Sequence, residues 1–235
     1  MALVRLTRDP PPPPVISGPD VYSPFTKDSE YQGGPGSGHA VRHMQCGQDF
    51  DGYWKDDEPE GPGQVTTTAG SSYHGQWKVG KWHGEGTYKW PSGSSYSGQW
   101  VEGKKEGKGK QILYSGNSYD GEWKADKRHG WGLFTVAKPT TAGVVVYEGE
   151  WVHDLFTGKG TAKGVDGALE INRYQDGRRI GEGVRWLDPN RVKPGESTGP
   201  FRLTDGREGE EIDPAEAEAI AQAIGVPVPQ FPFHE

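Results

Sequence analysis

Tryptophan recurs along this chain at a fixed interval. Trp54, Trp77, Trp100 and Trp123 stand 23 residues apart, Trp151 follows after 28, and a further 23 reaches Tyr174. A period of this length means one small unit copied along the chain, each copy too short to bury its own face and therefore dependent on its neighbours. The longer step before Trp151 places a five-residue insertion there.

The register set by tryptophan aligns every other column. Two residues before each aromatic stand Gly52, Gly75, Gly98, Gly121, Gly149 and Asn172, and four before stand Phe50, Tyr73, Tyr96, Tyr119, Tyr147 and Glu170. Glycine pairs follow at seven and nine residues in all six units, as in Gly84/Gly86 and Gly107/Gly109. Three after the aromatic come Asp57, Gly80, Gly103, Asp126, Asp154 and Gly177. Gly and Asp are the types enriched at positive φ, which a tight primed hairpin turn requires. Seven before the aromatic stand Gly47, Gly70, Gly93, Gly116 and Gly167; the insertion breaks this column and leaves Gly143 one place away. Each unit therefore reads strand, tight turn, strand and looser glycine turn.

Alternation assigns the faces. Tyr73, Gly75 and Trp77 share one side of a strand, and Gly84 and Gly86 share one side of the returning strand. The simplest packing lays each ring over the bare backbone of a neighbouring glycine. Composition fits: only 31% of residues are hydrophobic and mean hydropathy is −0.83, yet there are 9 Trp, 10 Tyr and 37 Gly. The predicted fold is all-β, a single elongated antiparallel sheet of about six stacked hairpins. Its twelve strands at about 4.7 Å would give a rod of roughly 55 Å.

These columns, Y-x-G-x-W-x-x-G-x-x-x-G-x-G, resemble the MORN (membrane occupation and recognition nexus) repeat. Tyr73 to Gly86 and Tyr96 to Gly109 match at every signature position, and Tyr119 to Gly132 does so with Asp for Gly at one turn. The copy at Tyr147 is good, while those at Phe50 and Glu170 are degenerate. The resemblance covers residues 50 to about 185 and is specific for fold, not for function. MORN repeats occur beside enzymes such as phosphatidylinositol phosphate kinases and SET-domain methyltransferases, and in cytoskeletal proteins of axonemal radial spokes and the central apparatus. No segment outside the repeats is long enough for such an enzyme domain. The short arm, array and short tail are similar to small flagella- and sperm-associated MORN proteins.

The array is expected over 46–186, with repeats near 47–69, 70–92, 93–115, 116–143, 144–166 and 167–186. Residues 1–45 read as an extended Pro/Gly-rich arm, beginning with the polyproline II candidate Pro10 to Pro14. Tyr31, Gly34 and Gly38 continue the register, so an eroded seventh repeat is the competing reading. Residues 187–235 hold turns at Asp188-Pro189, Pro194-Gly195 and Asp205-Gly206, then a helix over about 213–224. Asp213 is its N-cap, Pro214 suits the first turn, and Glu216 is placed for a capping box. Its stripe of Ala217, Ile220, Ala221 and Ile224 either caps the last open strand edge or docks a partner.

Little in the chain suggests chemistry. The spacing His39-x3-His43-x2-Cys46 approaches that of metal ligands but lacks a fourth, so no metal is expected. His83 and His129 occupy one repeat position, which marks them as structural. The Gly-x-Gly pairs open no G-x-G-x-x-G helix and Gly107-Lys108-Gly109 lacks the Ser/Thr of a phosphate loop; no G-x-S-x-G elbow occurs. No cofactor is expected, and an enzyme is not. One cysteine excludes an intrachain disulfide, prolines interrupt the N-terminus before a signal-peptide core, and no apolar run reaches the roughly 18 residues of a membrane helix. These features lead to the expectation of a soluble, cytoplasmic protein, and the resemblance implies a cytoskeletal location, in the axoneme of a cilium or flagellum.

Net charge is −7, unevenly spread: ten Lys/Arg against six Asp/Glu from Tyr73 to Thr135, one against eight from Asp205 to Glu235. This suggests partner surfaces of mixed sign and no nucleic acid. The rings of Tyr73, Trp77, Tyr96, Trp100, Tyr119, Trp123, Tyr147 and Trp151 are read first as packing over glycines and second as a groove for an extended segment or helix. The expectation is a non-catalytic scaffold that docks structural proteins of a large assembly, which the family resemblance implies to be the ciliary or flagellar axoneme. A peripheral binder of acidic phospholipids, disfavoured by net charge, and a regulatory subunit of an enzyme are the alternatives.

Overall fold

The computed structural model describes residues 37–43, 48–139, 144–188, 190–192 and 199–226. They form an antiparallel sheet whose strands follow one another in chain order, with one helix near the C-terminus. Two compact units divide at Lys127/Arg128. The first holds β1 (Gly38–His43), β2 (Gln48–Lys55), β3 (Glu58–Thr67), β4 (Ser72–Lys78), β5 (Lys81–Lys89), β6 (Ser95–Val101), β7 (Lys104–Ile112) and β8 (Ser118–Lys124). The second holds all but the first residue of β9 (Lys127–Thr135), then β10 (Val144–Val152), β11 (Leu155–Gly164), β12 (Leu169–Gln175), β13 (Arg178–Trp186), β14 (Pro200–Thr204), β15 (Arg207–Glu211) and α1 (Pro214–Ile224).

The primed turns form as the Gly/Asp column implies. Both central residues have positive φ, as in Val79 (50°) and Gly80 (68°) or Ala125 (48°) and Asp126 (69°). Each tip also reaches the preceding hairpin: Gly80 N donates to Pro59 O at 3.0 Å and Gly103 N to Trp82 O at 2.9 Å. Where the turn residue is aspartate the contact is reciprocal, since Lys105 N donates to Asp126 Oδ1 at 2.9 Å. That is why Asp substitutes for Gly here. Gly47 and Gly143 lie outside the described residues, but the other looser turns close as expected, with Gly93 N donating to Trp90 O at 3.0 Å.

The glycine pair divides into two roles, correcting the expectation of a shared face. Gly75 pairs with Gly86 but Gln76 pairs with His83, so Gly84 and Glu85 form a bulge. Gly84 sits at φ 58° within it, a conformation costly for a residue with a Cβ. Gly86 is the bare surface: a Cβ there would lie 2.6 Å from Tyr73 Cζ.

Three expectations about the flanks change. Gly38–His43 is not part of an extended arm but pairs with β2, with Gly38 opposite Trp54 and Ala40 opposite Gly52. This is the register of Gly61 and Gly63 against β4, so β1 is a returning strand of the repeat type. Asp205-Gly206 is the primed turn of a further hairpin, β14/β15, with Leu203 two residues before the turn, where tryptophan stands elsewhere. The period hid it because aliphatic Leu203, 1% exposed, had replaced the ring. Finally, α1 does not cap the last edge. It packs on the face of β12 to β14, while β15 is exposed along its whole length and carries Arg-Glu-Gly-Glu-Glu, a charged sequence of the kind that discourages edge pairing.

The helix ends are as read, except for the capping box. Asp213 accepts from Ala215 N at 2.8 Å and Gly225 ends the helix at φ 82°. Glu216 pairs instead with Arg202 of β14. The last turn has no basic residue of its own; Arg173 of β12 donates to Ala223 O at 2.8 Å and so complements the negative helix end.

Candidate interaction surface

In each unit one face of the strands carries the aromatic column. Tyr73, Tyr96 and Tyr147 are 0% exposed, Trp77, Trp100 and Trp151 2%, Tyr119 3% and Trp123 4%. These rings are core, not the lining of an open groove, and the reason is geometric. Tyr73 meets Trp77 and Trp100 edge-on at 5.3 and 5.7 Å between centroids, and Trp82 stacks on it at 4.7 Å. Their polar atoms are also engaged within the array. Trp54, Trp77, Trp100, Trp123 and Trp151 donate from Nε1 to the carbonyls of Ala40, Gly63, Gly86, Gly109 and Gly132. Tyr73, Tyr96, Tyr119 and Tyr147 donate to the carbonyl three residues on. Burial raises the Tyr96 and Tyr147 phenols well above the ordinary value.

A column that the repeat pattern did not single out completes this face. Five residues after the aromatic stand Trp82, Lys105, Arg128 and Phe156. Lys105, 1% exposed, places Nζ 3.9 Å from the centroid of Trp123 and donates to Gln111 Oε1 at 3.1 Å. In the second unit the Arg128 guanidinium lies 4.3 Å from Trp151 and pairs with Asp154 at 3.1 Å. A cation over an indole thus does the work of a second ring. Only the offset from tryptophan could have marked these residues, because cations are ordinarily assigned to solvent.

The sixth hairpin departs from the pattern. Glu170 replaces the tyrosine, Asn172 the glycine, and Arg179 Nη2 lies 2.5 Å from Glu170 Oε2. The Asn172 side chain lies over Gly183, where a ring lies over glycine elsewhere. Burial raises the Glu170 carboxyl above its usual range, although Arg179 and Arg185 pull the other way. Burial likewise pushes the Tyr174 phenol up to about 12.

The helix stripe is not presented to solvent either. Ala217, Ile220, Ala221 and Ile224 pack with Ile171, Val184, Ile212 and Val226. Ile171 is on the opposite side of β12 from Tyr174, so α1 covers the face away from the rings.

That outer face is otherwise the exposed one. In the first unit its hairpin-tip pairs are Lys55 opposite Glu58, Lys78 opposite Lys81, and Val101 opposite Lys104. A shallow cleft of about 540 Å³ opens beside the second pair, lined by Tyr53, Glu60, Gly61, Pro62, Gln76, Lys78 and His83 among others. His39 Nε2 lies 3.1 Å from Asp51 Oδ1, whereas Cys46 falls outside the described residues. Among the described residues no group of three or more His, Cys, Asp or Glu could hold a metal ion, and no helix is long and apolar enough to cross a membrane.

Stacked hairpins whose repeated side chains tie each copy to the next define a β-hairpin repeat scaffold. The family model of the MORN repeat matches residues 50–72, 73–95, 96–118, 119–135 and 147–168, and the chain belongs to the MORN-repeat family. The sixth hairpin lies beyond these segments, in line with its Glu170 and Asn172. No curated protein matches the chain. MORN repeats are associated with protein–protein or membrane–lipid interaction, in a non-catalytic role.

Proposed function

We propose that this protein is a non-catalytic scaffold that docks other proteins within a cytoskeletal assembly, the axoneme of a cilium or flagellum, at a radial spoke or a neighbouring complex. One observation carries the scaffold reading: the residues that recur in every copy are used to hold one hairpin to the next. Trp100 is bound by Gly86, Tyr96 meets Trp123 of the next hairpin edge-on at 5.3 Å, and the Gly103 turn bonds to Trp82. What remains for recognition is the non-repeated outer surface. The axonemal placement rests on the likeness of the array to small flagella-associated MORN proteins.

Fractionation of ciliated cells tests the placement. The protein should resist detergent and leave the cytoskeletal pellet only at high salt, and affinity purification from native tissue should recover structural partners. Recovery wholly in the detergent-soluble cytosol sinks the axonemal reading.

A further inference from the structure

We propose that the outer face of the first unit binds an extended, acidic polypeptide segment of a partner protein, through the lysines at its hairpin tips and the cleft beside them. This inference rests on the scaffold reading and names the chemistry of one docking surface.

The tip pairs show an arrangement that folding alone does not favour. Lys55 opposite Glu58 is a complementary cross-strand pair, but one hairpin further on Lys78 faces Lys81. Like charges directly opposite each other destabilise a sheet. Lys104 and Lys124 extend the charge onto the next two tips, and all four lysines are exposed. Among the described residues no ion pair reaches any of them. Two carboxylates on neighbouring strands are engaged elsewhere: Glu60 accepts from Val79 N and Glu106 from Ala125 N, each at 2.9 Å.

The cleft supplies the second element. Gly61, at φ 82°, is the bulge glycine of β3. Its missing side chain leaves open space beside Tyr53, where a Cβ would meet nothing nearer than Tyr53 Cβ at 3.8 Å. Tyr53 is 49% exposed and lines the cleft together with Pro62 and Lys78, so apolar surface lies beside a cation. A tyrosine, proline or aliphatic side chain fits there while flanking carboxylates meet the lysines.

Spacing favours a polypeptide. Successive tips are two strands apart, about 9.5 Å, and every third residue of an extended polyproline II segment returns to the same side after about 9.3 Å. A single nucleic-acid strand needs several stacking rings, and Tyr53 is the one exposed aromatic in this cleft. A planar anionic membrane cannot enter the recess and would meet the repulsion of the whole chain's −7 charge, whereas a short segment feels mainly the local lysines within a Debye length of about 8 Å.

The test uses the full chain and a labelled peptide of about twelve residues, with glutamate at every third position and one central tyrosine. Fluorescence anisotropy should show salt-sensitive binding that a glutamine-for-glutamate peptide lacks. Lys78→Glu should weaken it about tenfold and Tyr53→Ala about threefold. Because Lys78→Glu recreates a complementary pair opposite Lys81, its Tm should hold or rise, which separates lost binding from lost folding. No binding at low salt, or binding undiminished in Lys78→Glu, overturns the proposal. So does tighter capture by phosphatidylserine vesicles or oligothymidine that displaces the peptide and is itself lost in Lys78→Glu. Failure here with the protein still in the cytoskeletal pellet removes only this surface; peptide binding by a protein that stays in the soluble cytosol removes the axonemal reading instead.

Discussion

Trp100 donates its indole N–H to the carbonyl of Gly86 at 3.0 Å, the atom pair through which the third repeat grips the second. Phenylalanine would keep most of the ring and lose the donor. Leaving a buried carbonyl unmatched costs about 1–3 kcal/mol. Trp100→Phe is therefore expected to lower Tm by several degrees in a circular-dichroism melt, and an unchanged Tm would remove this bond from the account.

Tyr96 needs two bare backbones beneath it. A Cβ at Gly98 would lie 2.5 Å from Lys108 O and 2.9 Å from the Tyr96 hydroxyl. Gly98→Val should destabilise the array by about 3 kcal/mol or more, while exposed Lys104→Ala should stay within about 0.5 kcal/mol of the parent. Equal denaturation midpoints for the two variants would contradict the packing of ring on glycine.

Val79 is a β-branched residue at φ 50° in the first position of a primed turn. Such a conformation costs about 1–2 kcal/mol, and Asn-Gly is the preferred pair for this turn. Val79→Asn should raise Tm, by an amount corresponding to about 1 kcal/mol. A lower Tm would mean that the valine side chain makes a stabilising contact that outweighs its strain.

The Tyr174 phenol, pushed up to about 12 by burial, links stability to alkaline pH. The neutral form is the one the fold accepts, so its contribution is complete below the ordinary value near 10 and is lost as pH rises from there through about 12. Tyr174→Phe removes that proton. Its Tm should fall less steeply than the parent's between pH 10 and 12, and parallel curves would refute the assignment.

Ala221 is 0% exposed between α1 and the sheet. Aspartate there would place a charge against Ile171 and Val184 at a cost of several kcal/mol. Limited proteolysis of Ala221→Asp should cut within 205–226 and leave β2 to β8 protected. A helix that resists cleavage as in the parent would show that its apolar stripe does not anchor it.

The hairpins, their turns and the seat of each ring were legible because they repeat. Trp, Gly and Asp columns expose a backbone requirement six times over, and chance cannot imitate six copies. What escaped notice had no copies or had changed chemical type. Leu203 stands in the tryptophan column without being aromatic, Ala40 replaces a pair glycine in β1, and Lys105 fills a ring's place with a cation.

The outer face was legible only as an excess of lysine. That Lys78 opposes Lys81 depends on strand register, and that Tyr53 borders a cleft depends on the bulge at Gly61. Similarly, the stripe of α1 could be read as apolar, but not which surface would bury it.

The repeating hairpin and the membership of the chain in the MORN family follow from the residue columns alone, because turn geometry and ring-on-glycine packing are local demands met within one or two periods. Which surfaces remain free depends on how the strands and the helix pack. Packing closed the tyrosine and tryptophan rings into a core, since they meet rings of their own and of neighbouring hairpins, as Tyr73 does with Trp82 and Trp100. It laid the helix over β12 to β14, since Ile171 and Val184 are the apolar pair exposed there. Burial is a property of neighbours, and most of these neighbours are set by register and by elements that no single repeat encodes.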